Sequence, residues 1–169
     1  AGGGMRFLGN VVMHFGPDKK FIHVGSPEAP IRVVMSGLAE GNGYLMADFE
    51  GGVSRLSAGA GFGVDTGQRN FGPLYGRAWL NARGDVVIEL DAQRNPHIKG
   101  VLQANGGATF GMEFETFWDT YHITIFSGDF SAAMAFQAPG SPKLSGRVVV
   151  HYSVLGGLFD GSVAAQLDF

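Results

Sequence analysis

Five histidines and fifteen acidic residues are the groups in this 169-residue chain that could hold a metal or move a proton. His14 and His23 flank the turn Pro17-Asp18-Lys19-Lys20. A hairpin closing at Asp18-Lys19 would set the two imidazoles opposite each other, as a metal-binding pair requires. A pair alone does not complete a coordination shell, and His97, His122 and His151 share no ligand spacing with it. The preferred reading is two surface histidines on a hairpin. Two loops, Asp65-x-x-Gln68-Arg69-Asn70 and Asp91-x-Gln93-Arg94-Asn95, repeat an oxygen-rich pattern. They lack the alternating carboxylates of a calcium loop, and Asp or Asn at such places commonly closes an Asx-turn. Glu113 and Glu115 fall on one strand face, as acid–base pairs can, yet nothing sets them apart from a solvated edge. Gly59-Ala60-Gly61-Phe62-Gly63 opens no helix, so it cannot cradle phosphate as a helix N-terminus does. With no cysteine there is neither a thiolate nucleophile nor a disulfide. The expectation is a protein with no catalytic residue, no metal ligand and no cofactor: not an enzyme.

Those side chains must be carried by strands. From Leu74 to Asp91 every second residue is apolar or glycine, while Tyr75, Arg77, Trp79, Asn81, Arg83, Asp85, Glu89 and Asp91 lie on the other face. Side chains of a strand point alternately to opposite faces, so this run is a two-faced strand, far longer than the usual ~5–6 residues. The same period runs through 5–15, 52–64, 98–114, 144–154 and 159–169. Shorter strands are expected at 21–25, 31–35 and 43–49, the first two divided by Pro27 and Pro30. Tyr121, Ile123 and Ile125 are out of phase with Phe130, Ala132, Met134 and Phe136, which predicts a bulge or hairpin at Gly128. No window has helical periodicity. The fold class is therefore all-β: an antiparallel meander of about ten long strands, curved and closing into a sandwich or barrel. Leu80, Ala82, Val86, Leu102, Ala104, Phe110, Val163 and Leu167 are expected inside.

The length suits one domain over residues 5–169, with Ala1–Gly4 read as a linker or cloning remnant. Charged residues are only 16% against 45% hydrophobic, so the surface is short of charge. A net charge of −3 gives no reason to expect nucleic acid. The alternation fits two solvents. In water the apolar face covers a core; in an outer-membrane barrel it meets lipid, and Phe169 closing an alternating strand resembles the end of such barrels. Gly- and Ala-rich apolar faces, the absence of two aromatic girdles and uniformly short connections argue against membrane insertion. If the apolar faces enclose a cavity, Phe62, Phe110, Met112, Met134 and Phe136 could line it for a lipid-like ligand.

Phe21-Ile22-His23-Val24-Gly25-Ser26-Pro27-Glu28-Ala29-Pro30-Ile31 resembles a Tyr-Ile-Gly-Thr-Pro-x-x-Pro strand and turn. Gly43-Tyr44-Leu45-Met46, Gly72-Pro73-Leu74-Tyr75, Gly84-Asp85-Val86 and Tyr152-Ser153-Val154-Leu155-Gly156-Gly157-Leu158 before Gly161 match further elements of the same pattern. Together these resemble β-rich modules of very large, uncharacterised multi-module extracytoplasmic proteins of Bacteroidota-type bacteria. Family members place cysteines in their second half, and this chain has none. The resemblance implies an extracytoplasmic module and carries over no reaction or site. The leading expectation is a non-catalytic structural module acting through contacts with other modules or copies of itself. Tyr75, Trp79 and Phe117, aromatic residues on polar faces, are its candidate interface anchors.

Overall fold

The computed structural model describes residues 5–35, 38–115, 119–138 and 143–168. Every regular element among them is a strand: β1 (Met5–Leu8), β2 (Val11–Phe15), β3 (Lys19–Val24), β4 (Ile31–Met35), β5 (Ala39–Glu50) and β6 (Val53–Asp65). β7 (Arg69–Phe71), β8 (Leu74–Leu90), β9 (Pro96–Glu115), β10 (Thr120–Ala138), β11 (Lys143–Val154) and β12 (Phe159–Asp168) follow. All twelve belong to one sheet, in the order β1-β4-β5-β6-β8-β9-β10-β11-β12, and every pairing is antiparallel. β2 and β3 continue the first two of these nine rows: β2 pairs with β3, and β3 pairs with the second half of β5. The break expected at Pro27 and Pro30 is the point where β3 and β4 part, and both then lie along β5.

The alternation reads true along the long strands, with one local surprise. β10 runs unbroken from Thr120 to Ala138, and the phase change lies between Thr124 and Phe126 rather than at Gly128. Ile125 is the extra residue of a β-bulge there, which turns the two out-of-phase halves onto one face. Ala39–Asn42, expected as a connection, are also strand and pair with β4 and β6.

What is missing is a second layer. The sheet is neither a sandwich nor closed, for β12 and the β1–β2 row lie at opposite ends of the strand order. Tyr75 is the only large apolar residue that is buried, among the described residues. Of the residues expected inside, Leu80, Leu102, Phe110, Val163 and Leu167 are exposed, and Ala82, Val86 and Ala104 are half-buried. The accessible surface is 11663 Å², whereas a compact monomer of 17.9 kDa exposes about 8,000 Å². The physical reason is plain. Alternation dictates that a strand has two faces, but short connections leave no segment free to cover either one.

Candidate functional site

The candidate site is the pair of faces themselves. Residues directly opposite in an antiparallel ladder share a face, so the registers sort the whole chain. One line reads Phe7, Val33, Gly41, Phe62, Ala82, Ala104, Ala132, Val148 and Ala165 across all nine rows. The lines above and below it on that face are equally apolar. Among the described strand residues only two charges share the face, Lys20 opposite Phe49 and Arg69 opposite Gly76, both at strand ends. Every histidine and every other strand charge lies on the second face.

That second face is concave. A cleft of about 820 Å³ runs across β4, β5, β6, β8 and β9, lined by Glu40, Asn42, Asp65, Arg77, Trp79, Asn81, Arg83, Gln103 and Asn105. A smaller one of about 540 Å³ is lined by Lys19, Glu28, Tyr44, Asp48, Glu50, Arg55 and Glu89. Charges in these clefts are largely matched. Lys19 pairs with Glu50 at 3.0 Å, Arg83 with Asp85 at 2.7 Å, Arg77 with Asp65, and Arg32 reaches Glu40 from Nε at 2.9 Å. Such half-exposed pairs contribute little stability each; their consequence is a hydrated surface of low net charge. One register line differs: Arg32, Asn42, Gly61, Arg83, Gln103, Ala133, Arg147 and Gln166 stand side by side with no carboxylate among them.

The glycine content has a local cause that sequence reading missed. Tyr44 lies opposite Gly59, Tyr75 opposite Gly111, and Trp79 opposite Gly107 on the concave face. A Cβ on Gly59 would stand 2.4 Å from the Tyr44 ring, and one on Gly111 2.5 Å from that of Tyr75. On the apolar face Phe136 covers Gly100, Phe130 covers Gly106 and Tyr152 covers Gly161 in the same way. Each ring lies down on the bare backbone of its cross-strand partner and shields it. The signal in the sequence is an aromatic residue and a glycine equidistant from a turn. Two of these rings reach one strand further. Tyr44 donates to Asp85 Oδ1 at 2.9 Å across β6, and the Tyr75 hydroxyl meets Thr124 Oγ1 at 3.0 Å across β9.

The residues singled out from sequence fall into place as follows. Tyr75 is buried under these contacts and Trp79 is half-buried, both on the concave face; Phe117 lies outside the described residues. Phe62, Phe110, Met112, Met134 and Phe136 share the apolar face, four of them exposed and Met112 half-buried, and of the five Phe62 alone also borders the larger cleft. His14 does not oppose His23. Each stacks on Phe21, at 5.4 and 4.5 Å, because the chain turns at Pro17-Asp18, one residue earlier, and His23 Nε2 instead meets Asp48 at 2.7 Å. The Asp91 loop is an Asx-type turn: Oδ1 accepts from the backbone N–H of Gln93 and Asn95, and Oδ2 from Asn95 Nδ2 at 3.0 Å. The Asn95 side-chain bond, with its backbone N–H, holds the Asp91 carboxyl below its ordinary pKa. Glu113 lies 3.6 Å from His122, and no cluster of three metal-ligating groups is found among the described residues.

Comparison with known protein families, curated proteins and solved structures finds no match to this chain.

Proposed function

We propose that the sheet is the wall of a transmembrane β-barrel, with its apolar face to lipid and its concave polar face to a hydrated interior. The observation that carries this is the sorting of charge. One face is free of charged residues across every described row except at two strand ends, while the other holds every other strand charge, several of them in ion pairs. Apolar-out and polar-in alternation is the rule for a barrel in a bilayer, where unpaired charge on the lipid side is costly. The dimensions agree. The apolar face of β11 spans Leu144–Val154, about 37 Å along the strand, which at a ~45° tilt gives about 26 Å of height.

The same geometry speaks against the two soluble readings. An apolar face this large far exceeds the few hundred Å² that water-soluble monomers expose. A lipid carrier would gather Phe62, Phe110, Met134 and Phe136 into one cavity, whereas Phe110, Met134 and Phe136 line neither cleft and Phe62 alone of the four borders the larger one. Contact with other protein, the first expectation from sequence, would need a partner covering nearly the whole convex surface.

The absence of cysteine makes a direct test available. Spin labels on single cysteines at positions 98 to 112 of β9, in phospholipid vesicles, report access to oxygen from lipid and to a nickel chelate from water. Even-numbered positions are expected to see oxygen and odd-numbered positions nickel. Nickel access at the even-numbered positions as well, or protein that stays in solution beside the vesicles, would refute the reading.

A further inference from the structure

The larger cleft on the concave face is furnished for a ligand rich in hydroxyl groups. Four carboxamides line it, Asn42 of β5, Asn81 of β8, and Gln103 and Asn105 of β9. Asn81, Gln103 and Asn105 are exposed and Asn42 is half-buried. None of these four side chains hydrogen-bonds to another described residue. A carboxamide carries two N–H donors and an acceptor oxygen in one plane, so each can bond a pair of groups that themselves both give and accept hydrogen bonds. The amides hold nothing in the fold together, and all of them open into one depression.

That depression has a floor, an aromatic flank and no net charge. Gly61 and Gly63 of β6 lie opposite Asn42 and Asn81 respectively. A Cβ on Gly61 would stand 3.1 Å from Asn42 Oδ1, and one on Gly63 would collide with Asn81 Oδ1, so the two amides lean over bare backbone from either side. Trp79 precedes Asn81 on the same face of β8, lies over Gly107 and lines the cleft as well. Its indole offers a flat apolar surface to C–H groups. Among the lining residues Glu40 and Asp65 balance Arg77 and Arg83. Each of these charges is already engaged, Glu40 with Arg32, Asp65 with Arg77 and Arg83 with Asp85. An anionic or cationic ligand would find no unspent counter-charge here. From β5 to β9 is three strand spacings, about 14 Å, and the volume of about 820 Å³ lies within the ~300–1,000 Å³ of small-molecule sites.

We propose that this cleft binds a neutral oligosaccharide, with a ring face on Trp79 and hydroxyls on the four carboxamides. A sugar chain presents both kinds of surface the cleft asks for: adjacent hydroxyls that give and accept hydrogen bonds, and ring faces made of C–H. The distance from Asn42 to Gln103 exceeds a single ring, so a short chain of sugar units spans it where a monosaccharide or a nucleoside would not. The site needs only the concave face and is independent of what meets the apolar one.

Calorimetric titration with maltotetraose, cellotetraose, xylotetraose and N-acetylchitotetraose tests this. The protein is kept folded in micelles of a phosphocholine detergent, whose headgroup bears no sugar. With Trp118→Phe, Trp79 is the sole indole, and its emission reports the site. At least one of the four sugars should bind with a millimolar or tighter Kd and shift that emission. Trp79→Ala should weaken binding about tenfold or more, and Asn105→Ala about 2- to 10-fold, as loss of one hydrogen bond does. Gln166→Ala, on the same face but outside the cleft, should leave affinity unchanged. If Trp79→Ala fails to fold, as loss of its strand circular dichroism would show, Gln103→Ala and Asn105→Ala at exposed positions carry the test. Binding of none of the four, equally tight binding of tetragalacturonate, or affinity that survives the changes at Gln103 and Asn105 would overturn the proposal. The β9 spin-label scan judges the two faces separately, so either reading can fail without the other.

Discussion

Arginine placed at Ala104 should destabilise the protein far more than arginine placed next door at Gln103. Ala104 sits at the middle of β9, opposite Ala82 and Ala132 on the apolar face; Gln103 faces the cleft, opposite Arg83 and Ala133. If the apolar face meets lipid, an arginine at mid-depth costs about 2–4 kcal/mol, falling to about 0–1 kcal/mol near the interfaces. At about 1.4 kcal/mol per tenfold, Ala104→Arg lowers the folding constant roughly 30- to 700-fold. Gln103→Arg adds a charge beside Arg83 in a hydrated cleft and should stay within about 1 kcal/mol. Ile98→Arg, nearer the rim on the same face, should fall between them. Denaturant titration of each variant in lipid vesicles reads these differences directly. On a sheet standing in water an exposed Ala→Arg change is worth no more than about 0.5 kcal/mol. Equal costs at Ala104 and Gln103 would refute the assignment of faces.

Five further changes probe the sheet and its loops. Gly111→Ala puts a Cβ 2.5 Å from the Tyr75 ring and 2.6 Å from the Ile123 carbonyl, so unfolding in vesicles should show a loss of about 1–3 kcal/mol. Gly146→Ala, whose nearest neighbour would be 3.6 Å away, should be neutral or gain up to about 1 kcal/mol. Deleting Ile125 removes the bulge and leaves Thr124 and Phe126 in perfect alternation, so the variant should fold; deleting Ala133 turns half of β10 over and should not, as near-complete loss of protease-resistant protein would show. Asp91→Asn tests the lowered carboxyl. A depressed pKa means that the folded state favours the carboxylate, so the contribution is present above the unfolded pKa of ~3.9 and vanishes as pH falls through the folded value. The unfolding midpoint of Asp91→Asn should therefore lie below that of the parent at pH 7, with the gap closing as pH falls below the unfolded pKa.

Strand positions were legible in the sequence because a period of two leaves little freedom: β6, β8, β9, β11 and β12 lie where alternation puts them. Prolines 27 and 30 correctly divided β3 from β4. The Thr124–Phe126 bulge was visible as a phase change but not in its position, since Gly128 was the more obvious breaker and instead sits in-strand opposite Ala108 and Tyr152. The solvent of each face was not legible. Leu80, Leu102 and Phe110 alternate with polar residues whatever medium they meet, and the structure adds that, among the described residues, no second layer covers them. The glycines within these strands have a local cause, for Gly100, Gly106, Gly111 and Gly161 make room for rings from the neighbouring strand. Cross-strand register supplies that information, and a single strand's sequence does not contain it.

From β9 to β12 each strand pairs only with its neighbours in sequence, and the β9–β10 and β10–β11 hairpins are among the most extensively joined. Nothing in that half of the molecule must wait for a distant segment to arrive. Loop-closure entropy is therefore met in small instalments, and assembly can advance by adding one hairpin at a time to a growing edge. The same connectivity governs disassembly under load. Force applied at β12 meets one ladder, then the next, so the sheet should peel row by row and never lose all its pairings at once. A chain built this way can be drawn into, or out of, its surroundings in steps the size of a hairpin.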